Sequence, residues 1–199
     1  GSMEYLDYMN SFRYALAGEF SFRRDVLNDI RIPSDWGLEI GVLSEMYRNY
    51  ASNRLCQADI ASSYDHKHQA LSANDDGGGL SKMSIDIAKA LFRKLATQGV
   101  VFDKGKFRTI KATYYRMALD AIENSHNNAV MNGLHLDIHQ EEQAVELFAE
   151  NIIKAGDAFV ERPNERPFIP SWNRVVSALP DIFNQLIEAV EADHKDFGG

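Results

Sequence analysis

Apolar side chains return every three or four positions through most of this chain, a period that a helix can bury along one stripe and a strand cannot. Leu6, Met9, Phe12 and Leu16 mark a first stripe, widened by Tyr5, and the spacing predicts a helix ending near Gly18. A second short helix is predicted from Arg23 to Ile30, closed at the Ile32-Pro33 step because proline pushes the residue before it away from helical angles. A third follows Ser34 and Asp35, with Leu38, Val42, Leu43 and Met46 on one face and Asp35 as a cap for its orphan amides. Leu80 to Gln98 places Met83, Ile87, Ala90, Leu91 and Leu95 together, with Gly99 as the stop. From Phe107 onward the pattern predicts helices near 108–131, 139–161, 171–178 and 180–194.

Three stretches break the helical rhythm. Arg54 through Ser63 alternates imperfectly and predicts a short strand with one buried side, and Val100 to Phe102 predicts another. Ser72 to Gly79 gathers turn formers and three consecutive glycines, which reads either as a mobile loop or as a plain connector. The expected fold class is therefore α+β, mainly helical, with short strands inside residues 3–105 and a helical extension over 106–199. At 199 residues and 45% hydrophobic content the chain can bury a sizeable core. Gly1 and Ser2 ahead of Met3 read as the remnant of a removed tag, so the natural chain is expected to begin at Met3 or upstream.

A net charge of −8 without any Lys/Arg run argues against nucleic acid as a partner, since phosphate neutralisation needs a concentrated basic surface. The apolar stretches are short and interrupted by charges, so no membrane span is expected, and the absence of a signal-like start makes a cytoplasmic protein the expectation. Cys56 stands alone, which excludes an internal disulfide and suggests a small buried residue.

Acids beside glycine in an apolar setting single out Ala17-Gly18-Glu19-Phe20 and Trp36-Gly37-Leu38-Glu39-Ile40-Gly41. Glycine there permits close approach of a ligand or of backbone. Glu39, between apolar neighbours, needs a partner, a metal or a ligand to offset its desolvation, unless it salt-bridges locally. Tyr64-Asp65-His66-Lys67-His68-Gln69 follows the predicted strand, and in extended geometry His66 and His68 point the same way. Neutral imidazole and the Asp65 carboxylate suit a divalent cation, and a surface histidine pair without metal is the competing reading.

AGEFSFRRDVL, PSDWGLEIGVLSEMYR and CQADIASSYDHKHQALS, in this order, resemble the carboxy-terminal catalytic region of glucosyl-3-phosphoglycerate synthases, over roughly Tyr14 to Leu95. These enzymes and the related mannosylglycerate synthases are retaining GT-A glycosyltransferases that move a sugar from a nucleotide diphosphate to a three-carbon acid. The resemblance implies that His66 is the metal ligand, for Mg2+ or Mn2+, beside an Asp-x-Asp segment supplied from elsewhere. It implies that Glu39 lies at the donor sugar and acceptor, as the catalytic carboxylate, and that Gly18 and Glu19 belong to the loop beneath that sugar. Trp36 and Gly37 belong to the same substrate-binding motif. Where the family carries an arginine two residues before the metal histidine, this chain has Tyr64, which leaves the acceptor open between 3-phosphoglycerate and a similar small acid. Lys67, Arg23 and Arg24 are possible replacements for that charge.

The chain contains no Asp-x-Asp and no glycine-rich strand-turn-helix before Gly18. The nucleotide-binding half is thus expected to come from outside it, as a further partner, and the chain alone is expected to be inactive. The rival reading is a non-catalytic helical interaction or oligomerisation module, and a less favoured third is a metal hydrolase using Asp65, His66 and His68. In the extension, His135 and His139 share helical spacing, weakened as a metal pair by Gly133. Glu141, Glu142, Glu146 and Glu150 read as a solvated face and Leu147, Phe148, Ile152, Ile153 and Phe159 as a core stripe. Trp172, Phe183, Leu186 and Ile187 are expected to pack against that stripe, and an apolar face left exposed there would favour a homo-oligomer.

Overall fold

The computed structural model describes residues 2–60, 79–163 and 168–197. Eight helices occur among them: α1 (Ser2–Asn10), α2 (Arg24–Asp29), α3 (Leu38–Asn49), α4 (Gly79–Thr97), α5 (Lys104–Met131), α6 (Ile138–Glu161), α7 (Trp172–Ala178) and α8 (Ile182–Phe197). The helical expectation holds closely from Leu38 onward.

The short strands of the expected α+β class are not found among the described residues. Ser52–Arg54 forms a single 3-10 turn, and residues 55–60 and 100–102 have no regular structure. A strand needs a neighbouring strand to satisfy its amides, and among the described residues Arg13 meets this stretch only through the side chains of Gln57 and Asp59. The extended pairing that does occur is an isolated antiparallel bridge between Ile32 and Ile169, with Ile169 N–H donating to Ile32 O at 2.9 Å. Cys56, expected inside, lies exposed on this irregular stretch. The first helix also stops early, at Asn10, and continues as turns through Ser11, Phe12 and Ala17.

α3 is the hub. Ile40 to Met46 are buried without interruption, so this helix is enclosed on all sides rather than along one stripe. Its two buried polar residues are satisfied. Ser44 Oγ donates to Ile40 O at 2.6 Å and meets Tyr5 Oη at 2.8 Å. Glu45 accepts from the Arg31 guanidinium and from Arg48, each at 3.0 Å. α1 docks on α3 through its tyrosines: Tyr5 is fully buried, and Tyr8 donates to Leu43 O at 3.2 Å, while Leu6 of the predicted stripe stays largely outside.

A second core lies where α4, α5 and α6 meet, built from Phe92, Phe107, Ala155 and Phe159 with Phe102 stacked on Phe107. A Cβ on Gly156 would fall 2.5 Å from the Phe107 ring, so that glycine is what lets α5 and α6 close together. Asn151 of α6, 1% exposed, reaches across to α4 and donates to Ser84 Oγ at 2.8 Å and Ser81 Oγ at 3.1 Å. Glycines in left-handed conformation end two of these helices, Gly99 (φ +89°) after α4 and Gly133 (φ +66°) after α5.

The last helices depart from expectation. Trp172 stacks on Phe183 at 5.4 Å, yet α7 packs against α2 rather than against the α6 stripe, with Asn173 Nδ2 donating to Asp29 Oδ1 at 2.6 Å. Phe183, Leu186, Ile187 and Val190 on α8 remain exposed. The side of α6 that α7 was expected to cover is already filled by α4 and α5.

Candidate functional site

The turn before α3 is fixed by Asp35, whose Oδ1 accepts the N–H of Gly37 at 3.0 Å and whose side chain is only 3% exposed. α3 then starts at Leu38 with no side chain bonded to its amino end from Gly37, and Glu39 stands in its first turn. A carboxylate there is favoured by the positive end of the helix dipole.

The two glycines of the motif have separate packing duties. A Cβ on Gly37 would lie 2.6 Å from Ala90 Cβ of α4, and one on Gly41 would lie 2.1 Å from Pro33 Cγ. Both contacts are with protein, so the close approach that glycine permits here is used to seat α3 against α4 and Pro33. Glu39, two positions from each, projects from the other side of the helix. There it meets Gly18, where a Cβ would stand 4.0 Å from Glu39 Oε1. Glu39 is half-buried, and Gly18, Glu19 and Trp36 are exposed, so a carboxylate set beside a bare backbone faces outward from the hub.

Gly18, Trp36, Gly37 and Glu39 are thus placed around one end of α3, with Glu19 next in the chain to Gly18. Tyr64, His66 and Lys67 lie outside the described residues, as do Asp65 and His68. Among the described residues no three His, Cys, Asp or Glu side chains converge on a cation position. His139 meets Gln143 at 3.1 Å, and Glu141, Glu142, Glu146 and Glu150 are exposed as expected.

The desolvation argument applied to Glu39 describes Glu45 better. Glu45 is the deeply buried carboxylate of α3, held by two arginines, and its position inside Gly41-Val42-Leu43-Ser44-Glu45-Met46 carried the same signal. Nearby, Lys94 Nζ sits 5.1 Å from the Tyr5 ring centre and 5.4 Å from that of Tyr47. Burial holds its amine below the usual lysine range, helped by the repulsion of Arg48 and Arg31 and opposed by Glu45. Burial, with the neighbouring Tyr5, pushes the Tyr8 hydroxyl up to about 12. A cavity of about 370 Å³ opens beside these rings, lined by Glu4, Tyr8, Ser11, Tyr47 and Tyr50, and none of the expected site residues reaches it. No helix of the described residues is long and apolar enough to cross a membrane.

The chain is 46% identical over 196 residues to a glucosyl-3-phosphoglycerate synthase of Persephonella marina, which covers 98% of this chain and 48% of that protein. It is 41% identical over 194 residues to a glucosyl-3-phosphoglycerate synthase of Methanococcoides burtonii, covering 96% of this chain and 47% of that protein. The chain therefore spans about half the length of the curated relatives it matches. No protein-family model matches it, and no solved structure does.

Identity of this order along nearly the whole chain makes it similar to part of a glycosyltransferase, over about half the length of these relatives. More closely, the similarity is to glucosyl-3-phosphoglycerate synthases, in agreement with the motifs around Gly18 and Glu39. The rival reading as a non-catalytic interaction module is not favoured by these relatives.

Proposed function

We propose that this chain forms the acceptor side of a retaining GT-A glycosyltransferase that moves a sugar from a nucleotide-sugar donor to 3-phosphoglycerate or a similar small acid. The names of its relatives support the reaction class, and the observation that carries the residue assignment is the meeting of Glu39 with Gly18. A carboxylate facing outward beside a side-chain-free backbone can accept hydrogen bonds from sugar hydroxyls and stabilise positive charge growing at the sugar carbon. Glu19 and Trp36 belong to the same substrate-binding face, and Gly37 of the same motif supports it from behind by seating α3 against α4. Tyr64 and Lys67 are proposed on the acceptor side and His66 as a ligand for Mg2+ or Mn2+. The cation's remaining ligands are proposed to be the Asp-x-Asp carboxylates of the nucleotide-binding half. When bound, such a cation neutralises charge on the departing diphosphate.

On this reading the nucleotide-binding half of the relatives is a required partner, and the isolated chain does not transfer sugar. The exposed apolar side of α8 supports self-association as a homo-oligomer. The test joins this chain to the remaining half of the Persephonella marina relative and measures transfer from nucleotide-sugars to 3-phosphoglycerate. Transfer is expected to need a divalent cation, to weaken in metal dependence with His66→Ala, and to lose about 100-fold or more in kcat with Glu39→Gln. Full activity in Glu39→Gln would end the assignment.

A further inference from the structure

Among the described residues, Arg93 on α4 is a partly buried cation, its side chain 19% exposed, with unused donors: its Nε and Nη2 are closed to solvent and neither has a hydrogen-bond acceptor. Its other terminal nitrogen, Nη1, lies 4.0 Å from Asp35 Oδ2, near enough for attraction between charges and too long for a hydrogen bond. Asp35 is already committed through Oδ1 to the Gly37 amide. A guanidinium does not escape burial by losing its proton, and dry charged donors are costly to leave unmet. The unused pair, Nε with Nη2, is also an edge that takes two oxygens of one carboxylate or phosphate side by side.

We propose that Arg93 anchors a binding site for a small oxyanion, a phosphate or a carboxylate, which docks on the Nε–Nη2 edge of the guanidinium whose Nη1 faces Asp35. Asp35 sets the affinity, because its carboxylate partly neutralises Arg93 and repels an arriving anion. Both nitrogens are closed off in the structure, so the anion enters through a local opening around Arg93, and its binding stabilises the fold by mass action. This site stands apart from sugar transfer, and it holds or fails on anion binding by this chain alone.

The 199-residue chain is titrated at constant ionic strength with inorganic phosphate and, separately, with D-glycerate, which has a carboxylate and no phosphate. Melting temperature and calorimetric heat are recorded. At least one probe is expected to bind saturably at one site and raise the melting temperature, and the tighter one identifies the oxyanion. Arg93→Met is expected to abolish the effect, and Arg93→Lys, which loses the paired geometry, to weaken binding by about tenfold or more. Asp35→Asn keeps an oxygen for the Gly37 amide and is expected to tighten binding several-fold, whereas Arg108→Met, on the exposed face of α5, changes nothing. Should Arg93→Met fail to fold, the opposite signs of Arg93→Lys and Asp35→Asn carry the decision. The site is refuted by the absence of saturable binding for both probes, by binding that survives in Arg93→Met, or by an Asp35→Asn protein with unchanged affinity.

Discussion

Gly18 faces Glu39 across a gap that a single methyl group would narrow to ordinary contact, with Oε1 4.0 Å from the position of the absent Cβ. Two motifs separated in the chain by α2 therefore share one surface, and the spacing between them makes Gly18 a gate on the carboxylate. Gly18 does not adopt a left-handed conformation, so alanine fits its backbone. Gly18→Ala is expected to change unfolding free energy by less than ~0.5 kcal/mol. Gly18→Trp, by covering Glu39, should raise KM and lower kcat in the joined enzyme while chemical denaturation still shows a folded protein. Normal kinetics in Gly18→Trp would contradict the shared surface.

Gly156 is where α6 meets the Phe107 ring, with no room for a methyl group. Gly156→Ala should cost about 1–3 kcal/mol in urea unfolding, through overpacking. Phe107→Leu in the same chain should recover part of that loss, because the two residues touch and their effects are not additive.

Asn151 joins α6 to α4 through Ser81 and Ser84 in a dry setting. Replacing it by leucine removes the amide donor shared by the two hydroxyls, while Ser84 Oγ keeps its bond to Ser81 O, and should cost about 1–3 kcal/mol, measured as a shift of the urea midpoint at unchanged slope.

Tyr8 gives the fold a dependence on alkaline pH. Its hydroxyl ionises near 10 when the chain is unfolded and at about 12 in the fold, because burial and Tyr5 oppose the anion. The folded value is the higher one, so this contribution is complete below pH 10 and is lost as pH rises from 10 towards 12. Stability followed across that range should fall less steeply in Tyr8→Phe than in the unaltered chain. Equal slopes would remove Tyr8 from the alkaline transition.

α4 and α6 were legible because each carries a long apolar stripe, and the stops of α4 and α5 because glycines that turn left-handed, Gly99 and Gly133, end them. The first stripe held only in part: Tyr5, which widens it, is fully buried. Leu6 and Leu16 fit the period, but Tyr5 and Tyr8 made the contact, because α3 offered them a hydroxyl at Ser44 and a carbonyl at Leu43. The alternation after Arg54 met no neighbouring strand and remained irregular. At the candidate site, Gly18 and Glu39 were both visible as acids or glycines in apolar runs, whereas Asp35 and Arg93 belong to segments whose proximity nothing local announces.

Local period and turn chemistry, which depend on residues a few positions apart, were enough to set the helices and their stops. What lay outside that range was decided by packing. Gly37 and Gly41 became contact points for Ala90 and Pro33, Glu45 became the enclosed carboxylate and Glu39 the outward one, and α8 kept its apolar side exposed. Burial depends on which distant surfaces arrive opposite a side chain, and that is a property of the assembled helices.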